Sequence, residues 1–227
     1  MKRFILLLTT VLLCVRMIGE TLVPDSISNP IRTGFHPDPS ICRVGEDYYL
    51  VTSSFTWFPG IPVYHSRDLA NWSLIGHALT NPKAIDFNGM TDNDGIWAPT
   101  LRYHNGTFYL ITTAHGCGGN FYMTAKNPAG PWSDPVWLKD APGIDPSLFF
   151  DEDGRCYYTG NRWDFKSTWP AQCAVWMQEL DLQKGRLVGE RKTLAYGHAA
   201  NAKYAEGPHL PNFRKRMKSE IAMHFLV

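Results

Sequence analysis

Short apolar and aromatic runs, separated by turn residues, recur along the chain. One run, SICRV, is followed by a turn with Gly45 and then by the alternating run YYLVT from Tyr48. Helical periodicity is poor throughout, and the 19 Gly and 16 Pro residues argue against long helices. The pattern therefore predicts an all-β protein built from hairpins.

The chain contains an internal repeat in which each copy begins at a proline. The segment DPSICRVGEDYYLVTSS from Asp38 aligns with APTLRYHNGTFYLITTA from Ala98, and a third copy, DPSLFFDEDGRCYYTGN, begins at Asp145. The copies are marked by Pro39, Pro99, Pro146 and Pro208. Four short strands per copy fit the blades of a β-propeller. A β-sandwich whose hairpins are similar by accident is the alternative.

Composition limits the classes of partner. The 227 residues carry a net charge of +1, and no long run of Lys or Arg occurs outside FRKRMK near the C-terminus, so nucleic acid is not an expected partner. Aromatic residues make up 13% of the chain, which suits a globular protein with stacking surfaces. The cysteines after the N-terminal region show neither a CxxC motif nor the His spacing of a zinc site, so we expect buried free thiols and no metal site.

The N-terminus has the features of an export signal. Lys2 and Arg3 precede an apolar run from Phe4 to Val15, which Arg16 ends. This run is too short to cross a bilayer, so it predicts a signal peptide over residues 1–20. We therefore expect a secreted or periplasmic protein with no membrane association beyond export.

Three acids lie at the beginnings of repeat copies. Asp38, Asp145 and Glu206 occur in the contexts HPDPS, GIDPS and AEGPH, which we assign to equivalent positions of the first, third and fourth copies. The second copy has Ala98 at this position. The prolines on either side of Asp38 predict an extended backbone there. Because the first strand of each propeller blade lines the central channel, the three acids should converge at one channel mouth.

Three converging carboxylates allow three interpretations. They could bind a hard cation such as Ca²⁺, act in acid and base catalysis, or accept hydrogen bonds from backbone amides at turns. Together with the abundant Trp and Tyr they favour a sugar substrate, with one acid protonating the leaving oxygen while another activates water. A third acid near the proton donor would raise the pKa of the donor by charge repulsion.

Five segments between Asn29 and Leu210 together resemble glycoside hydrolase family 43, in particular its β-xylosidases and α-L-arabinofuranosidases. They are FHPDPSICRVGEDYYLVTSSFTWFPGIPVYHSRDLANW, GIWAPTLRYHNGTFYLITT, GPWSDPVWL, GIDPSLFFDEDG and AEGPHL. The resemblance implies a five-bladed β-propeller, of which this chain would hold about three blades and the first strand of a fourth. It also implies an inverting hydrolase that releases xylose or arabinose from hemicellulose oligosaccharides.

The resemblance assigns a role to each acid. Asp38 matches the general base that deprotonates water, and Glu206 matches the general acid. Asp145 matches the acid that tunes the pKa of the donor and orients it. Inversion requires room for a water molecule, so the carboxyl groups of Asp38 and Glu206 should stand roughly 6.5–9.5 Å apart.

Other residues near these segments receive weaker assignments. Phe35, Trp57 and Trp97 resemble residues that shape the pocket for the terminal sugar, and a plain core role is the alternative for each. His209 is expected to fill a polar turn rather than to act at the site. No cofactor is implied, apart from a channel calcium in a full-length form.

The resemblance ends after Leu210, where the chain reads PNFRKRMKSEIAMHFLV without another aromatic hairpin. We therefore expect a signal peptide (1–20), a partial propeller catalytic domain (29–210) and an aberrant tail (211–227) that reflects a frameshift or a truncated gene. Three blades would leave the channel open, so the chain as written is expected to be inactive or nearly so. The alternatives are a non-catalytic glycan-binding or residual fragment, and a propeller hydrolase with a retaining mechanism.

Overall fold

The computed structural model describes residues 26–197 and 201–210. The predicted signal peptide and the tail at 211–227 lie outside these residues. The described residues form twelve strands and no α-helix, so the prediction of an all-β protein is confirmed. No helix in this part of the chain is long and apolar enough to cross a membrane.

The strands form three four-stranded antiparallel sheets, each made of consecutive strands. The first contains β1 (Ser40–Val44), β2 (Asp47–Val51), β3 (Gly60–Ser66) and β4 (Ser73–Leu79). The second contains β5 (Gly95–His104), β6 (Thr107–His115), β7 (Gly119–Ala125) and β8 (Val136–Trp137). The third contains β9 (Ser147–Phe150), β10 (Cys156–Arg162), β11 (Ala174–Asp181) and β12 (Arg186–Ala195). Each sheet has the strand order of a propeller blade, as the repeat predicts.

The turn between β5 and β6 shows how local sequence sets the hairpins. Asn105 and Gly106 have φ values of 46° and 73°, and they connect the paired residues His104 and Thr107. Two consecutive positive φ values define the two-residue turn whose twist matches antiparallel strands, and Asn-Gly is the dipeptide that adopts it most readily. The predicted turn is therefore confirmed.

The repeated aromatic residues pack between neighbouring blades. Tyr49 on β2 meets Phe108 on β6 with ring centroids 5.1 Å apart, and Tyr109 on β6 meets Phe150 on β9 at 4.9 Å. Such ring pairs contribute about 0.5–1.5 kcal/mol beyond the burial of their area. Tyr49, Phe108 and Tyr109 are thus explained as packing between blades.

The first strands of the three blades lie side by side. The Ser40 hydroxyl of β1 accepts a hydrogen bond from Leu101 N on β5 at 3.1 Å. Arg102 of β5 donates from Nε to Leu148 O on β9, also at 3.1 Å. The inner strands therefore present their N-terminal ends to one shared space, which is where the predicted acids are located.

The fourth copy is represented by residues 201–210. Within them no strand is formed, and His209 is a single bridge residue. Thr159 on β10 holds this segment against the third blade by donating from Oγ1 to Pro208 O at 3.3 Å. The described cysteines Cys42, Cys117, Cys156 and Cys173 are all free, and all but Cys117 are buried.

Candidate active site

The three predicted acids line one cavity. A space of about 600 Å³ lies at the N-terminal ends of the inner strands, and Asp38, Asp145 and Glu206 all border it. Its apolar wall includes Phe55, Trp97 and the prolines that begin the first and second copies. The structure thus brings together the acids that the repeat predicts, in a space large enough for a sugar ring and a water molecule.

The backbone at Asp38 differs from the prediction. Its φ is 53°, so the residue is not extended even though it precedes a proline. Its carboxylate accepts a hydrogen bond from the Ser53 hydroxyl, with Oγ 2.5 Å from Oδ2, and Ser53 N donates to Pro37 O at 3.0 Å. These two bonds hold the turn and outweigh the preference for an extended backbone that proline gives to the residue before it.

The same backbone conformation recurs at the start of every copy. Asp38, Ala98 and Asp145 have φ values of 53°, 39° and 54°, and each directly precedes a proline. In the fourth copy the residue in this position is Gly207, with φ 64°, and not Glu206. The assignment of Glu206 to the equivalent position was therefore wrong by one residue. Non-glycine residues at positive φ are strained, and such strain is concentrated at functional sites.

Asp145 is the most strongly perturbed of the three acids. Burial, followed by the charges of Glu206 and Asp38, raises its pKa to about 7, while the Gly207 backbone amide acts in the opposite direction. A carboxyl group with this pKa holds a proton for a large part of the time at neutral pH.

Glu206 titrates in a related environment. Burial raises its pKa, a hydrogen bond from Asn161 opposes this effect, and the charge of Asp38 adds to it. Because Asp145 and Glu206 repel each other when both are ionised, they titrate as a pair that favours retaining one proton. In the absence of a substrate, the raised pKa of about 7 means that Asp145 holds this proton for about half of the time at neutral pH.

Two buried polar residues support the acids, and sequence reasoning missed both. Ser53 donates to Asp38 and accepts from Ala98 N at 2.7 Å, so it links the first blade to the second. Asn161, on β10 of the third blade, donates a hydrogen bond from its Nδ2 to Oε2 of Glu206 at 3.1 Å. A signal was present in the repeat, because both residues are polar and lie at, or two residues after, the end of the second strand of their copy.

The predicted aromatic residues do not all reach the cavity. Trp97 lines it and stacks face to face on His115, with ring centroids 3.8 Å apart. Phe35 and Trp57 do not line it. They are 58% and 62% exposed, and their ring centroids lie 5.8 Å apart. Phe55, which sequence reasoning missed, does line the cavity and packs on Phe35. The core role considered for Phe35 and Trp57 is thus excluded by their exposure.

His209 also lines the cavity, so the expectation that it merely fills a turn was wrong. Its Nδ1 accepts a hydrogen bond from Nη2 of Arg102 at 2.8 Å. Burial and the Arg102 charge lower the pKa of His209 to about 4, so the ring is neutral at neutral pH. Arg102 therefore places a positive charge beside His209, which itself lines the cavity.

The arrangement of possible metal ligands in the described part of the chain bears on the predicted channel calcium. Within residues 26–197 and 201–210, no group of three or more His, Cys, Asp or Glu side chains is arranged to hold a metal ion. The Nδ1 atom of His209 faces the Arg102 guanidinium, which would repel a cation there. The described residues therefore do not fit a channel calcium, and that ion stays a prediction for a longer form.

Comparison with known proteins places these observations in a family. Residues 27–213 match the model for glycosyl hydrolases family 43. The chain is 50% identical over 190 residues to a xylosidase/arabinosidase of Butyrivibrio fibrisolvens, covering 81% of this chain and 36% of that protein. It is 45% identical over 206 residues to a non-reducing end α-L-arabinofuranosidase of Bacteroides ovatus, covering 89% of this chain and 37% of that protein.

A solved structure agrees with these matches. The crystal structure of a xylan β-1,4-xylosidase from Bacillus halodurans superimposes with a TM-score of 0.75 and 45% identity, covering 83% of this chain and 37% of that chain. The chain therefore spans little more than a third of the length of the relatives that it matches.

Proposed function

The chain belongs to glycosyl hydrolases family 43, and from this we propose that it supplies the acid and the base of an inverting glycoside hydrolase that releases xylose or arabinose from hemicellulose oligosaccharides. The observation that carries the proposal is the presence of Asp38, Asp145 and Glu206 on one cavity. The names of the relatives support xylose and arabinose as the sugars released.

In the proposed reaction Asp38 and Glu206 have complementary roles. Asp38 removes a proton from a water molecule, whose oxygen forms a bond to the anomeric carbon as the glycosidic bond breaks. Glu206 donates its proton to the departing oxygen, and the sugar is released with an inverted anomeric centre because the water attacks from the opposite face. Exchange with solvent then returns the proton from Asp38 and reloads Glu206. The Ser53 hydroxyl orients the base by its hydrogen bond to Asp38.

Asp145 supports the proton donor. Its charge and that of Glu206 disfavour double ionisation, which keeps one proton in the pair near neutral pH. When a glycosidic oxygen approaches Glu206, the proton is needed on Glu206, and an ionised Asp145 then favours this arrangement. This is the role of tuning the pKa that the family resemblance implies for Asp145.

The cavity wall provides an apolar surface for a sugar ring. Trp97 and Phe55 line the cavity together with the acids. The faces of aromatic rings pack well against the C–H groups of sugars, and His115 fixes the Trp97 ring from behind. We also propose export to the periplasm or the exterior, which the N-terminal signal pattern supports and where hemicellulose fragments occur.

Hydrolysis is tested with two forms of the protein, since the matched relatives are much longer than the aligned region. One is the 227-residue chain. The other is an extended form in which the chain up to Leu210 continues with the later part of the Butyrivibrio fibrisolvens relative. Both are given p-nitrophenyl β-D-xyloside and α-L-arabinofuranoside. We expect the extended form to cleave at least one of them and the short chain to be inactive or nearly so.

The Asp38→Asn variant of the extended form identifies the source of any activity. General base catalysis contributes about 10²–10⁴-fold, so kcat/KM should fall by that factor while the far-ultraviolet circular dichroism is unchanged. Glu46→Gln, in the turn after β1, serves as a control at an exposed acid of the same blade. Full activity in Asp38→Asn, or no cleavage of either substrate by the extended form, would contradict the proposal.

A second candidate function is glycan binding without hydrolysis. The exposed rings of Phe35 and Trp57, which pack beside the partly buried Phe55, support it, because exposed rings near a cavity can bind sugar independently of the acids. Binding of xylobiose by the short chain, measured by calorimetry and lost in Trp57→Ala, without cleavage by either form, would favour this function over the first.

A further inference from the structure

Asn161 is a buried polar side chain that bonds to one of the acids of the cavity. It is completely buried at the end of β10. Its Oδ1 accepts a hydrogen bond from Ile144 N at 2.9 Å, and its own backbone N donates to Ile144 O at 3.2 Å. Its backbone oxygen accepts from Trp176 Nε1 at 3.1 Å, which anchors the residue to the next strand. Its position is therefore fixed on three sides.

The remaining polar atom of this side chain faces Glu206. Because Oδ1 accepts from a backbone N–H, the other branch of the amide must be the NH₂ group. That group donates to Oε2 of Glu206 at 3.1 Å. One rigid side chain thus contacts both the residue directly before Asp145 and the carboxyl group of Glu206.

From this geometry we propose that Asn161 is a positioning residue that fixes Glu206 relative to the Asp145 loop and confines the transferable proton of Glu206 to Oε1. An oxygen that accepts a hydrogen bond from an amide is the poorer site for a proton, so protonated Glu206 carries its hydrogen on the other oxygen. The inference rests on the proposed function in one respect, which is that the proton of Glu206 is used in catalysis.

Other titratable groups act on Glu206 and must be held constant. Asp38 and Asp145 face it across the cavity, and the Cys173 thiol lies close enough for its pKa to be raised by the Glu206 charge. His209 lines the same cavity and is neutral near pH 7. None of these groups is altered by a substitution at position 161.

The chain offers a matched control in the preceding blade. Asn120 is 1% exposed, accepts from Thr113 Oγ1 at 2.7 Å, and donates to Ala141 O and Gly143 O at 2.9 and 3.0 Å. It thus holds the same loop from the other side but bonds to no acid. Asn120→Leu therefore removes buried amide donors without touching Glu206.

The test uses the neutral change Asn161→Leu, which keeps the branched shape of the side chain and removes the NH₂ donor without adding a titratable group. In the 227-residue chain labelled with ¹³C-glutamate, the carboxyl carbon of Glu206 is followed against pH and assigned by its absence in Glu206→Gln. We expect Asn161→Leu to raise the apparent pKa of Glu206 by about 1 unit or more, and Asn120→Leu to leave it unchanged. An unchanged Glu206 titration in Asn161→Leu, or an equal shift in Asn120→Leu, would overturn the proposal.

A second measurement needs no folded variant. In the unaltered chain, the side-chain ¹⁵N resonance of Asn161, assigned through its proximity to the Ile144 amide proton, should move with pH along the Glu206 curve, while that of Asn120 stays constant. A static Asn161 resonance would contradict the proposal. Both readouts are independent of turnover, so the positioning role can be decided even if hydrolysis is not found and the proposed function fails.

Discussion

Burial distinguishes Asp145 from the other acids of the cavity. It is partly buried, and its raised pKa of about 7 means that the folded protein binds its proton more tightly than an unfolded chain does. A group whose pKa is raised on folding stabilises the fold below its unfolded pKa, and this contribution is lost as the pH rises through its folded pKa. Asp145 should therefore destabilise the fold progressively between about pH 4 and 7.

Asp145→Asn tests this consequence, because an amide cannot ionise. The ionised carboxylate should cost roughly 2–4 kcal/mol at pH 8, so the variant should gain stability over the parent at pH 8 and little at pH 4. The free energy of unfolding, measured with urea at both pH values, gives the comparison. If the free energy of unfolding differed between parent and variant by the same amount at both pH values, the raised pKa of Asp145 would be refuted.

Ser53 offers a test of how the base is held. Its hydroxyl bonds both Asp38 and Ala98 N, whereas the adjacent Ser54 hydroxyl accepts from Ile61 N at 3.0 Å within the first blade. Both serines are buried, so each Ser→Ala change should cost about 1–3 kcal/mol of unfolding free energy. In the extended form, only Ser53→Ala should also lower kcat, because it releases the base.

Equal losses of kcat in the two serine variants, measured with p-nitrophenyl β-D-xyloside, would show that Ser53 acts through stability alone. A kcat unchanged in Ser53→Ala would show that Asp38 is held by its backbone. Thermal unfolding of both variants supplies the stability comparison.

The loop that leads into β9 depends on close backbone contact. Gly143 has φ 85°, and a Cβ there would overlap the backbone oxygen of Asn161. Gly154, in the turn between β9 and β10, has a similar φ of 82° but open space around its missing Cβ. The two glycines therefore share a conformation and differ only in their surroundings.

Alanine at these glycines separates the two effects. Gly154→Ala should cost about 1 kcal/mol from positive φ alone, and Gly143→Ala should cost several-fold more because the loop must move away from β10. Urea unfolding gives both values. Equal costs would show that the loop before Asp145 can shift without penalty.

The sequence predicts the strands and turns well because their causes are local. The Asn105-Gly106 turn needs only two residues at positive φ, and the aromatic alternation of β2 and β6 directly reflects packing between blades. The bonds that hold the acids are between residues far apart in the chain, as between Asn161 and Glu206. A single sequence does not show such partners, although the repeat marks where they occur.

Two errors have the same origin. The prediction of an extended backbone at Asp38 took account of the neighbouring prolines but not of the hydrogen bond from Ser53. The assignment of Glu206 to the repeat position considered only residue type, whereas the structure gives that position to Gly207. Both concern backbone conformation set by tertiary contacts.

The three blades together place the acids around one cavity, and the first strands of the blades align them. Arg102 crosses from β5 to Leu148 of β9 and to His209, so a buried positive charge joins the second and third blades to the fourth copy. The relative positions of the acids are thus a property of several blades at once.

The measurement that tests this account most directly is the configuration of the first sugar released. The extended form is mixed with p-nitrophenyl β-D-xyloside, and the anomeric proton of the new xylose is followed by NMR before mutarotation. If Asp38 acts as a base and Glu206 as an acid on opposite sides of the sugar, α-xylose appears first. Initial release of β-xylose would contradict the account, because it would require one acid to act as a nucleophile.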